Sequence, residues 1–585
     1  MTMTPATEPQ QLSDTALEIL HARYLQRDAA GEVSETPNGM FERVAQAIAE
    51  PSRAYGDDVP YWQARFLERL CRLEFLPNSP TLMNAGLPSG QLAACFVLPI
   101  EDDLDSIFAA LSRMARIHQS GGGTGFSFSR LRPRDDRVSS TGGTTSGPLS
   151  FMDLFDQTTA VIRQGGRRRG ANMAVLRIDH PDIEEFIDAK KNPQRLQNFN
   201  LSVGITEAFW TALSADSAFA LRNPRTGSMV RQVNARALFD QIAAAAWATG
   251  DPGLLFLDQI NLANPTPQLG TIEATNPCGE QPLLPYESCT LGSINLAAFH
   301  ANHDLDWARL SEAIHDGVVF LDNVIDANRF PFGAIEAATR RTRKIGLGVM
   351  GLADLFARLG VAYDSEAALL LGDKIAKYFT AEAWTASVEL AHRRGSFPAF
   401  AKSVWPGRGF AALRNATVTC VAPTGTISLI AGTSPSIEPY FALALSRRLL
   451  DGRIRTEINP LLQAELAQLG DLGLRAQEYL EKHGSLRALN ELPAPLRHRF
   501  PSALEIAPEY HVGMQAAFQK HVDAAVSKTV NLPPDAPQSR VKDIFRLAHD
   551  LHLKGITVYR YASRPDQILS LIDEAARPDC RDCAV

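Results

Sequence analysis

Short apolar runs, punctuated by glycine-bearing turns and alternating with helical stretches, constrain the fold of this 585-residue chain more than any other feature. From about Pro77 onward, residues 95–100, 174–178, 201–205, 418–422 and 556–559 read as strands by length and residue type. Helical periodicity covers 239–248 and 351–359 between them. Strands alternating with helices argue for an α/β domain, although periodicity alone does not decide how the strands close up. The opening reads differently. Ser13 or Asp14 can cap a helix carrying Leu17, Ile19 and Leu20, and Phe41, Val44 and Ile48 recur at helical spacing. Residues 1–75 are therefore expected as a helical segment and 76–561 as the catalytic body, whose part from 441 to 555 is largely helical in pattern. Residues 562–585 follow as a tail, with one helix-like stretch at 566–576 and a mobile polar end.

Hydrophobic residues at 45% and charged ones at 21% are ordinary for a soluble globular chain. A net charge of −7 gives no support for a nucleic-acid surface, which carries a basic excess. The first fourteen residues lack a signal-peptide pattern. No apolar run approaches the ~18–20 residues of a membrane helix. Seven cysteines, spread widely, do not resemble a secreted disulfide framework. The expectation is a cytoplasmic protein with reduced, working thiols.

Asn276-Pro277-Cys278-Gly279-Glu280 sets a thiol between an amide and a carboxylate, and Cys289 follows eleven positions after Cys278. Such a cluster can hold a sulfur radical or nucleophile, a base beside it and a reductant within reach. Cys95 lies far upstream, and Cys580-Arg581-Asp582-Cys583 closes the chain. A lone cysteine is more often a small buried apolar residue than a catalyst, and Cys71 and Cys420 are read that way. A terminal CxxC can also be half a zinc site, but no second CxxC or paired histidine sits nearby, so no metal site is expected.

At these residues the chain resembles the catalytic chain of ribonucleotide reductases, in the adenosylcobalamin-dependent class. The resemblance runs from about residue 60 to the end. It implies a ten-stranded α/β barrel threaded by the Cys278 loop as a central finger. It implies that Cys278 becomes a thiyl that takes hydrogen from the 3′ carbon of the ribose, and that Glu280 is the base for the 3′ hydroxyl. Asn276 would hold the substrate hydroxyls. Cys95 and Cys289 would supply the reducing equivalents and end as a disulfide, which Cys580 and Cys583 would exchange with a thioredoxin-like reductant.

Pro77-Asn78-Ser79-Pro80-Thr81 precedes Cys95 as it does in that family, where the residue matching Ser79 touches substrate; Ala94 and Gly123 match further contacts. Gly121 to Gly125 can expose backbone amides, though by itself the run is equally a tight turn. Pro423-Thr424-Gly425-Thr426-Ile427 follows a strand and precedes an apolar, possible helix, a suitable phosphate cradle or a plain capped turn. It lacks the Gly-Lys-Ser/Thr of a P-loop, so triphosphate hydrolysis is not inferred. By resemblance it holds the substrate diphosphate. Asp102 and Arg132 match positions that bind a deoxynucleotide effector at a dimer interface, and 163–172, with three arginines, resembles the loop linking effector to active site.

The radical source is read from the resemblance, by which class features this chain shares and lacks. Two-subunit relatives relay a radical through adjacent tyrosines, whereas here Tyr559 and Tyr561 are separated by Arg560. The Cys278-to-Cys289 spacing, 511–519 and 527–533 also resemble the cobalamin class, and no glycyl-radical motif is present. No Asp-x-His-x-x-Gly motif marks a cobalt-ligating histidine. The expectation is a homodimeric ribonucleoside-diphosphate reductase using adenosylcobalamin. A large subunit needing a separate radical-generating partner is the alternative, and a nucleotide-binding regulator that lost the chemistry stands behind it.

Overall fold

The computed structural model describes residues 11–137, 142–162, 170–448 and 454–563. Its N-terminal part is helical for reasons visible residue by residue. Ser13 caps the helix Asp14–Ile19, its hydroxyl accepting from the Ala16 amide at 3.1 Å. Thr36 caps Pro37–Ala49, which has proline in its first turn and turns Met40, Phe41, Val44, Ala45 and Ile48 inward. Asp58 caps Val59–Cys71 in the same way. The buried faces join one large core with the helix Trp307–Ala327, so this segment packs directly on the body.

That body is one sheet of ten hydrogen-bonded strands. In chain order these are β1 (Phe75–Pro77), β2 (Cys95–Val97), β3 (Gly123–Ser127), β4 (Asn172–Arg177) and β5 (Phe199–Ile205). They continue as β6 (Gly253–Phe256), β7 (Ser288–Asn295), β8 (Ile345–Met350), β9 (Thr529–Leu532) and β10 (Gly555–Arg560). Strands β2 to β6 pair in parallel, each with the next. A second parallel set runs β7–β8 and β9–β10, and residues 417–422 span the gap through the bridges Leu347↔Thr419 and Val421↔Val526. The two sets meet antiparallel at both seams, β2 against β7 and β6 against β10, which closes the barrel. Parallel neighbours need long crossovers, supplied here by helices such as Leu104–Gln119, Pro148–Val161 and Ala235–Thr249.

Two-residue alternation sorts the side chains. Cys95, Val97, Met173, Val175, Leu255, Cys289, Leu291, Cys420 and Ala422 share one interior cluster. Their neighbours Phe96, Ala174, Leu176, Leu254 and Phe256 belong to the outer core with the helices. The expected barrel is thus present, with two local differences. The expected strand at 418–422 is held by single bridges, because Val418 and Thr419 give their amides to the Asp523 carboxylate at 2.7 and 3.2 Å. The region expected to be largely helical from 441 begins with a hairpin, Ala444–Arg448 against Ile454–Ile458, before its helices. Among the described residues no helix is long and apolar enough to cross a membrane.

Candidate active site

The finger is a two-stranded loop inside the barrel, Ala274–Thr275 paired with Pro282–Leu283. Its turn is fixed from within: the Asn276 amide donates to the Gln281 carbonyl at 3.1 Å, and the Gln281 amide donates to Asn276 Oδ1 at 2.9 Å. Gly279 takes φ +85°, the left-handed region that favours glycine. The walls hold the tip on two sides. Asn200 Nδ2 donates to the Pro277 carbonyl at 2.7 Å, and the Ala525 amide donates to the Glu280 carbonyl at 2.9 Å. Strand β3 lies so close that a Cβ on Gly125 would stand 1.7 Å from the Thr275 carbonyl oxygen, and one on Gly123 2.8 Å from Pro277.

This brings the dispersed sequence motif together. Cys95 and Cys289 are direct cross-strand partners in the β2–β7 register. Such pairs have Cα atoms about 4.5–5.5 Å apart, inside the range a disulfide spans. Both thiols are free here. Asn276 Nδ2 donates to Cys95 Sγ at 3.2 Å, and Cys95 Sγ lies 3.9 Å from Glu280 Oε1. Cys278, at the finger tip, is the one exposed thiol among the described residues. Burial pushes the Cys95 thiol well up, and Glu280, Cys289, Cys278 and Cys420 add to it. Burial also raises Cys289, with Cys420 adding to the effect and Lys344 opposing it. Both shifts favour the protonated thiol over the thiolate.

The loop expected to take phosphate begins the helix Gly425–Ala431. Thr424 is buried, its hydroxyl accepting from the Ser436 amide at 2.7 Å, while Pro423 and Gly425 are exposed and Ile427 is buried. Thr426 lies between them on the first turn. Ser79 opens the helix Ser79–Asn84 and shares a 2.7 Å hydrogen bond with the Tyr24 hydroxyl. The neighbouring Asn78 amide reaches the Leu291 carbonyl of β7 at 2.8 Å. Ala94 and Gly123 are joined by a 2.9 Å amide–carbonyl bond under the finger. Asp102, seven positions after Cys95, and Arg132, thirty positions further on, form a 2.7 Å ion pair. Asp102 also lines a cavity of about 540 Å³ with Arg130, Arg177, Arg222 and Arg225. Cys580, Cys583 and residues 163–169 lie outside the described residues.

Sequence reasoning missed three interior groups. Cys420, read as a bland core residue, shares the inner cluster with Cys95 and Cys289. Gln281 is fully buried beside it, against Gly346. Lys344 and Glu287 form a buried 2.6 Å ion pair next to Cys289. The signal was available: Lys344 is in two-residue phase with Gly346 and Gly348, and Glu287 with Cys289.

Comparison with known proteins agrees with this geometry. The family model for the ribonucleotide reductase barrel domain matches residues 93–411 and 408–559, and that for the all-alpha domain matches 10–90. A vitamin B12-dependent ribonucleoside-diphosphate reductase of Mycobacterium tuberculosis (strain ATCC 25618 / H37Rv) is 52% identical over 96% of this chain and 79% of its own length. One from Thermoplasma acidophilum is 45% identical over 96% of the chain and 80% of its own length. The fold is shared with a class Id ribonucleotide reductase alpha subunit of Actinobacillus ureae, at a TM-score of 0.77, 24% identity and coverage of 94% of this chain and 97% of that one. With a family model over most of its length and relatives well above 30% identity, the chain belongs to the ribonucleotide reductases, in their vitamin B12-dependent class.

Proposed function

We propose that this chain reduces ribonucleoside diphosphates to 2′-deoxyribonucleotides with adenosylcobalamin as radical source and Cys278 as the thiyl. The observation that carries the reading is one exposed thiol on the finger, backed by a carboxylate and by two buried thiols in cross-strand register. The site fits a bulky partner: nothing stands within 4 Å of a Cβ built on Gly279 or Gly425, so the space over the tip and before the phosphate loop is open. Cys278 and Gly279 would face the cofactor. Once bound, adenosylcobalamin supplies a weak cobalt–carbon bond whose breaking starts the radical.

The residues divide the work. Amides at the start of Gly425–Ala431 receive the diphosphate, and Ser79, Ala94 and Gly123 bound the sugar side. Cys278 takes the 3′ hydrogen, while Glu280 accepts the 3′ hydroxyl proton, a transfer worth ~10²–10⁴-fold when positioned. The 2′ hydroxyl then leaves as water. Cys95 and Cys289 furnish two protons and two electrons in all, one proton leaving in the water and the rest making the new 2′ C–H bond, and close a disulfide; Glu280 returns the 3′ hydroxyl proton and Cys278 the 3′ hydrogen. Cys580 and Cys583 pass electrons from a thioredoxin-like reductant. Asp102 and Arg132 take a deoxynucleotide effector. Exposed Leu104 and Phe108 on one helix, and Leu154 and Val161 on the helix packed beside it, support a homodimer through this face.

Purified protein mixed with adenosylcobalamin, a ribonucleoside diphosphate and dithiothreitol turns over without a second protein, and Cys278→Ala abolishes turnover while keeping its melting temperature. A requirement for a separate radical-generating subunit, or activity in Cys278→Ala, rejects the reading. Phe108→Asp shifts the sedimenting species from dimer to monomer; an unchanged dimer moves the interface elsewhere.

A further inference from the structure

Cys289 has two neighbours across the sheet, and they differ in charge. On one side β2 presents Cys95. On the other, the β7–β8 register pairs Thr290 with Ile345, so Lys344 comes beside Cys289 one step earlier. Lys344 is 1% exposed at its side chain, and its ammonium is pinned by Glu287 Oε2 at 2.6 Å. Glu287 is itself fixed, its Oε1 accepting from the Thr342 hydroxyl at 2.9 Å and its Oε2 from the Leu284 amide at 2.7 Å. Burying such a pair costs desolvation that an apolar pair would avoid, so its place beside a working thiol calls for a reason. Cys95 lies 3.9 Å from the Glu280 carboxylate and among the described residues has no cation opposing it, whereas at Cys289 the carboxylates Glu280 and Glu287 are opposed by Lys344. The Asn276 amide, 3.2 Å from Cys95 Sγ, pulls the other way, but a neutral donor counts for roughly half of a charged one.

We propose that Lys344 is a positioning residue that sets the direction of re-reduction: it steadies Cys289 as the departing thiolate, so that an external dithiol attacks Cys95. This rests on the reading that Cys95 and Cys289 close a disulfide in each turnover. The thiolate of the dithiol attacks Cys95 Sγ, the Cys95–Cys289 bond breaks, and the electron pair stays on Cys289 Sγ. That thiolate then takes a proton. The second thiol of the dithiol, as thiolate, attacks its own partner sulfur in the mixed disulfide and releases Cys95. The dithiol ends oxidised, and two electrons and two protons have moved to the enzyme. Exchange is faster when the leaving thiolate is better stabilised, which makes the ammonium's position consequential for rate as well as direction. Burial and then Cys420 raise the Cys289 thiol, Lys344 lowers it, and Glu280 and Glu287 raise it further, so among these groups the ammonium alone favours the thiolate.

The test begins with a single turnover of pre-reduced holoenzyme carrying Cys580→Ser and Cys583→Ser, so that the tail cannot re-reduce the site, without added reductant and followed by mass-spectrometric disulfide mapping. Absence of the Cys95–Cys289 pair would overturn the active-site reading itself, and the lysine assignment with it. With the pair present, limiting 2-mercaptoethanol is added and the mixture is quenched with N-ethylmaleimide. The expected product carries mercaptoethanol on Cys95 and maleimide on Cys289, by about tenfold over the reverse. Lys344→Met slows re-reduction by dithiothreitol about tenfold and evens that ratio, Lys344→Arg preserves both, and the first turnover stays within about twofold in each. A wild-type adduct chiefly on Cys289, or a wild-type rate of re-reduction in Lys344→Met, overturns the proposal. Should Lys344→Met fail to fold, Lys344→Met with Glu287→Met removes both charges and is held to the same outcomes.

Discussion

A single missing Cβ governs how closely the finger approaches the barrel wall. At Gly125 a methyl group would sit 1.7 Å from the Thr275 carbonyl oxygen, a contact backbone atoms cannot relieve without moving the finger. Thr275 is joined directly to Asn276, whose amide touches Cys95. Displacing reacting groups by about 1 Å can cost ~10²-fold in rate. Gly125→Ala should therefore lower kcat by about a hundredfold, with a much smaller change in KM, since the loop at 423–427 proposed to take the diphosphate follows a different segment, 417–422. Steady-state kinetics decide this; a KM effect larger than the kcat effect would mean the glycine serves binding. This dependence was not readable beforehand. The glycine run 121–125 was visible as permissive backbone, but only the packed finger reveals that Gly123 and Gly125 are needed for close approach.

Between elements, the strongest tie is Asp322, near the C-terminal end of the helix Trp307–Ala327. It is fully buried and accepts from Arg343 at 2.8 Å, Arg394 at 3.1 Å and Arg414 at 3.2 Å, with Asn415 at 3.1 Å. Three arginines from three parts of the chain thus converge on one carboxylate. Burial alone would raise its pKa, but Arg343, Arg414 and Arg394 outweigh that and hold it down to about 2. Removing one partner of a buried ion cluster costs about 3–5 kcal/mol because the remaining charges lose their compensation. Asp322→Asn should destabilise by that order, read as a lower denaturant midpoint, while the folded fraction keeps its turnover. A loss below about 1 kcal/mol would place the cluster with surface pairs of small value. Sequence gave the helices more readily than these ties. Caps such as Ser13 and the inward stripe of Phe41, Val44 and Ile48 act over neighbouring residues. Asp322 meets Arg394 and Arg414 across stretches that no periodicity links.

For the molecule as a whole, the same contrast between local and distant physics decides what was legible. Strand character at 174–178 or 201–205 is a property of the residues, and the observed β4 and β5 contain those runs apart from Ile178. Closure is not, because both antiparallel seams and the bridges at Thr419 and Val421 join segments far apart in sequence; the resemblance supplied it. Closure also buries histidines that a linear reading ranks as ordinary polar residues. Burial pushes His118 down to about 4 and His511 to about 3, the latter helped by Lys528, whose Nζ lies 3.1 Å from His511 Nδ1. In the unfolded chain both titrate near ~6.5. Below that pH the unfolded state binds protons that the fold refuses, so stability is full above about 6.5 and falls as the pH drops towards about 4. Near pH 5 these two histidines alone account for about two protons, a slope of roughly 2.7 kcal/mol per pH unit, to which His180 and His300, pushed down chiefly by burial, add. Asp322 acts at lower pH, since its folded value of about 2 and an unfolded value near ~3.9 leave it ionised in both states there. Denaturant unfolding at pH 7.5, 6.0 and 5.0 should show this decline. His511→Gln should shallow its slope by about 1.4 kcal/mol per pH unit, as one refused proton disappears. An unchanged slope in that variant would mean that His511 takes up its proton within the folded barrel, with Lys528 or Glu438 moving to admit it.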